Sequence, residues 1–182
     1  MKENAVQIKM TTRQTVLAEL TAEEHRTLIE ASDGSGEELI ELVLEGSLSV
    51  EGNRVTVRYE ETELTGMEGS TTTLSFDRTA PGLVTMMREG AVRTVLVFEQ
   101  GRQHICTYHT PFMPFEISVR TYRVVNELLE NGFVYLDYSL EIRGARLERN
   151  KFTMEITPRD ERLHALLTPD PLPDLPSAGE DA

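Results

Sequence analysis

FVYLDYSLEI, residues 133–142, decides the fold class. Val134, Leu136, Tyr138, Leu140 and Ile142 fall on one face. A period of two is the pattern of a strand with one buried side, and no helix keeps it. The same alternation recurs in both directions. Upstream lie Phe115–Val125, His104–His109, Arg93–Glu99, Leu83–Arg88 and Ser70–Phe76. Before them come Arg54–Leu64, with Val55, Val57 and Tyr59 inward, and Glu38–Val50, with Ile40, Leu42, Leu44, Leu48 and Val50 on one side. Residues 5–18 alternate over Val6, Ile8 and Met10, and Leu147–Thr157 closes the series with Phe152, Met154 and Ile156.

These runs add up to about ten strands, separated by short Gly-, Pro- or Asn-containing turns and by no periodic helix. Sequential hairpins predict a single antiparallel up-and-down barrel, because closing the meander removes its edges. Gly46 inside a strand pattern predicts a bulge or bend. Glu51-Gly52-Asn53 reads as a hairpin turn, and Gly66 and Gly69 as a corner between two strands. Thr21–Ala31 starts with capping-box chemistry, Thr followed by Glu three residues on, which suits a short helix or an elaborated loop.

The chain has 182 residues, 39% of them hydrophobic and 27% charged, which suits one globular domain over residues 1–157. Residues 158–182 differ. They are acidic and carry Pro158, Pro169, Pro171, Pro173 and Pro176, and read as a largely disordered, solvated tail, with docking of its Pro-rich segment in a partner's groove as the alternative.

The net charge of −13 repels phosphate backbones and anionic lipid, so neither nucleic acid nor membrane is an expected partner. A lone cysteine, Cys106, cannot form an intramolecular disulfide, and the N-terminal residues lack an apolar leader. Both point to the cytoplasm.

Residues Tyr59–Leu74, YEETELTGMEGSTTTL, resemble the hallmark of the YwiB-like domain family DUF1934. The likeness continues in order through Val84-Thr85-Met86, Arg88, Gly90, Val97–Gly101, His104, Tyr108–Pro111, Val119, Thr121, Tyr138–Ile142 and Asn150. It spans roughly residues 5–157, apart from most of 19–36. His109 stands where Asp is more frequent before the Thr-Pro. The resemblance implies a calycin-like barrel, similar to lipocalins and fatty-acid-binding proteins, and no assigned activity.

The interior of such a barrel is either packed solid or holds a small, partly apolar ligand oriented by a few polar groups. If Val55, Val57 and Tyr59 set the inward parity, Glu61 also enters the barrel and requires a partner, for which Arg88, Arg120 and Tyr122 are candidates. Tyr59, Glu61, Met86, Arg88 and Tyr108 are candidate ligand contacts. The others are Thr71 and Thr73, from a hydroxyl-rich wall, with Arg120 and Tyr138.

His104, Cys106 and His109 have zinc-ligand chemistry, but a strand places the third on the opposite face from the first two, so no metal site is expected. There is no dinucleotide, P-loop, HExxH or GxSxG motif, and hence no expected cofactor or catalytic residue. Three functional readings remain: a binding barrel, an interaction module with a filled barrel, and a metal-assisted enzyme.

Overall fold

A computed structural model describes residues 3–20, 26–28, 37–142 and 145–159. Among these residues eleven strands follow in chain order: β1 Glu3–Leu20, β2 Arg26–Leu28, β3 Glu37–Glu51, β4 Arg54–Glu60, β5 Ser70–Asp77, β6 Ala80–Gly90, β7 Thr94–Glu99, β8 Gln103–His109, β9 Pro114–Glu127, β10 Phe133–Ile142 and β11 Arg146–Pro158. A 3₁₀ turn, Glu63–Thr65, precedes β5, and one helical turn, Leu128–Asn131, precedes β10. Among the described residues, no helix is long and apolar enough to cross a membrane. The acidic tail beyond residue 159, and most of the 19–36 insertion, lie outside the described residues.

Ten strands form one antiparallel sheet in the order β7-β6-β5-β4-β3-β1-β11-β10-β9-β8, with β2 on the end of β1. Every step in this order joins strands consecutive in sequence except two: β3 with β1, between which β2 intervenes, and β1 with β11, which joins the first strand to the last. The sheet curls into a nearly closed, calycin-like barrel. Its seam lies between β7 and β8, where the ladder stops. The seam is pinned at one end by the Arg93–His109 bridge, with N–H···O distances of 3.0 and 2.9 Å. At the other end β7 and β8 are joined by their own turn, closed by Arg102 N–H donating to Glu99 O at 3.0 Å, and Thr121 on β9 bonds the same turn through Gly101 N–H (2.9 Å) and Arg102 O (3.0 Å).

The barrel is filled at one end only. Val6, Ile8, Leu48, Val55 and Val57 are buried there, as are Leu74, Val84, Phe98, Leu136, Met154 and Ile156. Phe98 and Tyr138 pack ring to ring at 4.7 Å and form the top of this plug.

Three local expectations change. Gly46 carries no bulge: its pairing with Val6 and with Tyr59 is in register. The glycine is needed for close approach instead. A Cβ there would sit 2.4 Å from Ile8 Cδ1 and 2.6 Å from the Arg58 carbonyl oxygen. Register shifts fall at Val16/Ala18, Phe76/Asp77 and Asp137/Tyr138. The strand expected through Leu64 ends at Glu60, because Thr65 donates both its N–H (3.2 Å) and its hydroxyl (2.8 Å) to the Thr62 carbonyl and closes a tight turn. In the insertion, Arg26–Leu28 is a strand paired with Ala18–Leu20, where the helix alternative placed a turn of helix. β1 runs past the end of β3, and its unpaired edge takes up those backbone groups in preference to the local capping signal.

Candidate functional site

The unfilled end of the barrel holds a cavity of about 410 Å³. Its position follows from strand parity. Residues opposite one another in a ladder share a face, so Tyr59, which points inward on β4, brings its partner Thr72 inward on β5. Thr72 in turn pairs with Arg88 on β6. One residue past β4, Glu61 keeps the inward parity. Its N–H donates to the Ser70 carbonyl at 2.9 Å, which holds the strand-like path for that residue before the chain turns away.

Three neighbouring strands therefore deliver Tyr59 and Glu61 (β4 and its continuation), Thr72 (β5) and Arg88 (β6) to one wall. The Thr72 hydroxyl donates to Glu61 Oε1, and Arg88 Nε lies 3.4 Å from the same oxygen. The Glu61 side chain is 1% exposed and that of Arg88 is 15% exposed. The approach of Nε is close enough for an ion pair but not aligned as a hydrogen bond, so this buried N–H has no hydrogen-bond acceptor among the described residues. Arg88 Nη2 rests 3.5 Å from Met86 Sδ.

Burial, and then the Glu61 charge, push the Tyr59 phenol far above the usual tyrosine value, while Arg88 pulls in the opposite direction. Tyr138 is pushed up to about 12, mainly by burial. Both stay protonated at neutral pH and present O–H groups.

Across the cavity, β1 and β11 supply a second polar cluster. Glu148 accepts from Gln14 Nε2 at 2.8 Å, Arg146 Nε at 2.9 Å and Asn150 Nδ2 at 3.2 Å. Between the clusters the lining is apolar: Met10, Leu42 and Phe152 on one side, and Leu96, Phe115 and Ile117 on the other. Tyr108 stacks on Phe115 at 5.2 Å and points its hydroxyl at Met67 Sδ, 3.7 Å away, in the corner after β4.

Of the residues singled out from sequence, Tyr59, Glu61, Met86, Arg88, Tyr108 and Tyr138 line this cavity. Thr71, Thr73 and Arg120 do not. Thr71 faces out and donates to the exposed Glu60 carboxylate at 2.9 Å. Thr73 shares its parity, opposite Arg58 and Met87. Arg120 is exposed on the face opposite the buried Val119. The inward hydroxyl is that of Thr72, and the apolar residues Leu74 and Phe76 in the same strand already carried that parity. Glu148, Asn150, Gln14 and Thr12 were also missed. Each extends an inward apolar series (Phe152-Met154-Ile156 or Val6-Ile8-Met10) by steps of two.

Of the three partners considered for Glu61, Arg88 is the one that reaches it. Tyr122 is outside, 41% exposed, beneath the Arg149 guanidinium at 3.9 Å. Arg149 also forms a two-pronged pair with Asp137 at 2.7 and 2.8 Å.

A shallower groove of about 490 Å³ follows the β7–β8 seam past Thr94, Val95, Cys106, Thr107 and His109, and shares Arg88 with the cavity. Burial raises the Cys106 thiol, which makes it a poor nucleophile. His109 is exposed, while His104 and Cys106 are half-buried. Among the described residues, no three His, Cys, Asp or Glu side chains converge as a metal site.

The sequence matches the family model described as "Domain of unknown function (DUF1934)" over residues 25–154. The chain belongs to the DUF1934 family. Among solved structures, this DUF1934 chain is similar to the ywiB protein from Bacillus subtilis, with a TM-score of 0.59 and 20% sequence identity over 84% of this chain and 92% of that one. At that identity the likeness shows a shared barrel and nothing about ligands. No curated protein matches the chain. The matched region includes the corner that places Tyr59, Glu61 and Thr72 on the cavity wall.

Proposed function

We propose that the protein is a binding barrel that holds a small, partly apolar molecule in the cytoplasm. The observation that carries this reading is the buried Glu61–Arg88 pair facing a partly open cavity of about 410 Å³. Burying two charges is costly, and their mutual attraction seldom gains more stability than apolar packing would provide. A barrel whose interior only had to be filled would be better served by aliphatic side chains at both positions, as at its plugged end. The volume lies within the usual range for small-molecule pockets, about 300–1,000 Å³, and the mix of apolar walls with a few convergent polar groups is typical of them.

Native mass spectrometry of freshly purified full-length protein is the test. A bound small molecule, released on denaturation, is the expected result. A bare protein mass, with no thermal stabilisation by a panel of small amphiphiles, refutes the reading in favour of an interaction module.

A further inference from the structure

The groups on the cavity wall define the head that a ligand must carry. Arg88 has five N–H donors. Among the described residues, they meet only the poorly aligned Glu61 carboxylate and the Met86 thioether. Thr72 and Arg88 both address Glu61 Oε1, which leaves Oε2 without a hydrogen bond among the described residues. The wall thus offers strong donors and a strong acceptor side by side. The Tyr59 and Tyr138 hydroxyls lie on the same lining.

Charge narrows the choice further. Each carboxylate that lines the cavity already has a cationic partner: Glu61 has Arg88 and Glu148 has Arg146. A ligand carboxylate would add a third negative charge against the open oxygen of Glu61. A ligand ammonium would be set against the Arg88 guanidinium. A low-dielectric site magnifies both penalties. An uncharged group with both an acceptor and a donor meets neither penalty and satisfies both open positions.

Resting on the binding reading above, we propose that the cavity selects an amphipathic molecule with a planar amide head. Its carbonyl accepts from the Arg88 guanidinium and its N–H donates to Glu61 Oε2. The body lies against Met10, Leu42, Leu96, Phe115, Ile117 and Phe152.

The test is calorimetric titration of the full-length protein at pH 7.5 with octanamide, octanoate and octylamine, which share one tail. Octanamide is expected to bind at least about tenfold more tightly than either charged analogue, the scale of one mispaired buried polar group. Glu61→Gln should weaken octanamide several-fold and strengthen octanoate about tenfold, because the opposing charge is gone. Should that variant fail to fold, the native protein supplies a second readout. Octanoate affinity should rise as pH falls towards the acid's own pKa, where its head becomes an uncharged donor–acceptor, while octanamide stays level. Octanoate binding as tightly as octanamide, or independently of pH, overturns the head-group assignment and leaves the binding barrel standing. No binding by any of the three overturns both.

Discussion

Replacing Arg88 with methionine keeps an unbranched stem and removes the guanidinium and its charge, leaving Glu61 in the barrel wall with only the Thr72 hydroxyl. At the observed 3.4 Å, an effective dielectric of 20 gives an attraction of about 5 kcal/mol. Stranding one member of a buried pair costs about 3–5 kcal/mol. The unaligned Nε and the residual exposure of Arg88 place this case at the lower end, about 3 kcal/mol. Glu61→Gln should cost less, about 1 kcal/mol, because the amide still accepts from Thr72 and Arg88 retains the cavity on its other side. The double variant has no charge to strand and should lose about 1.5 kcal/mol, a coupling of about 2.5 kcal/mol between the two sites. Urea denaturation followed by far-UV circular dichroism measures all four proteins. With a slope of about 2 kcal/mol per molar, the midpoint of Arg88→Met should fall by about 1.5 M, and the second substitution should restore half of the loss. If the two single losses simply add, or if Arg88→Met falls within about 0.5 kcal/mol of the native protein, the pair is a solvated contact and the argument for a built polar site fails.

Gly46→Ala should cost about 2 kcal/mol by overpacking against Ile8 and the Arg58 carbonyl, which lowers the melting temperature by about 4–8 °C; an unchanged Tm refutes the close-approach reading. Tyr59 and Tyr138 should ionise above the ordinary tyrosine value of about 10 in an ultraviolet titration. Their folded values lie above the unfolded value of about 10, so the stability they contribute is full below that pH and is lost as pH rises towards 12 and beyond. One common titration near pH 10 refutes their burial. Cys106 should react with a disulfide reagent at pH 8 at least about tenfold more slowly in the native protein than in urea, because its thiol is raised and half-buried; equal rates count against that environment.

The strands were legible because side-chain alternation is local. β10 has the bounds expected for it. Parity carried Tyr59, Glu61 and Tyr138 inward with no knowledge of neighbours. It also held the correct answer for β5, where the cluster of three threonines drew attention to Thr71 and Thr73 and away from the residue in phase with Leu74 and Phe76. Arg120 failed for a related reason: Val119 and Thr121 are the buried neighbours that fix the inward face of β9.

The sequence alone determined that this chain makes an antiparallel meander, and it carried the carboxylate at position 61 inward on condition that Val55, Val57 and Tyr59 set the parity, because a period of two is decided within a few residues. The tertiary structure decided what meets that carboxylate. Arg88 reaches Glu61 through the registers of β4 with β5 and of β5 with β6, set by pairing between strands. It also decided that one end of the barrel is plugged and the other hollow. A cavity is the volume left over when ten strands of side chains are summed around a closed ring, and no local stretch contains that sum.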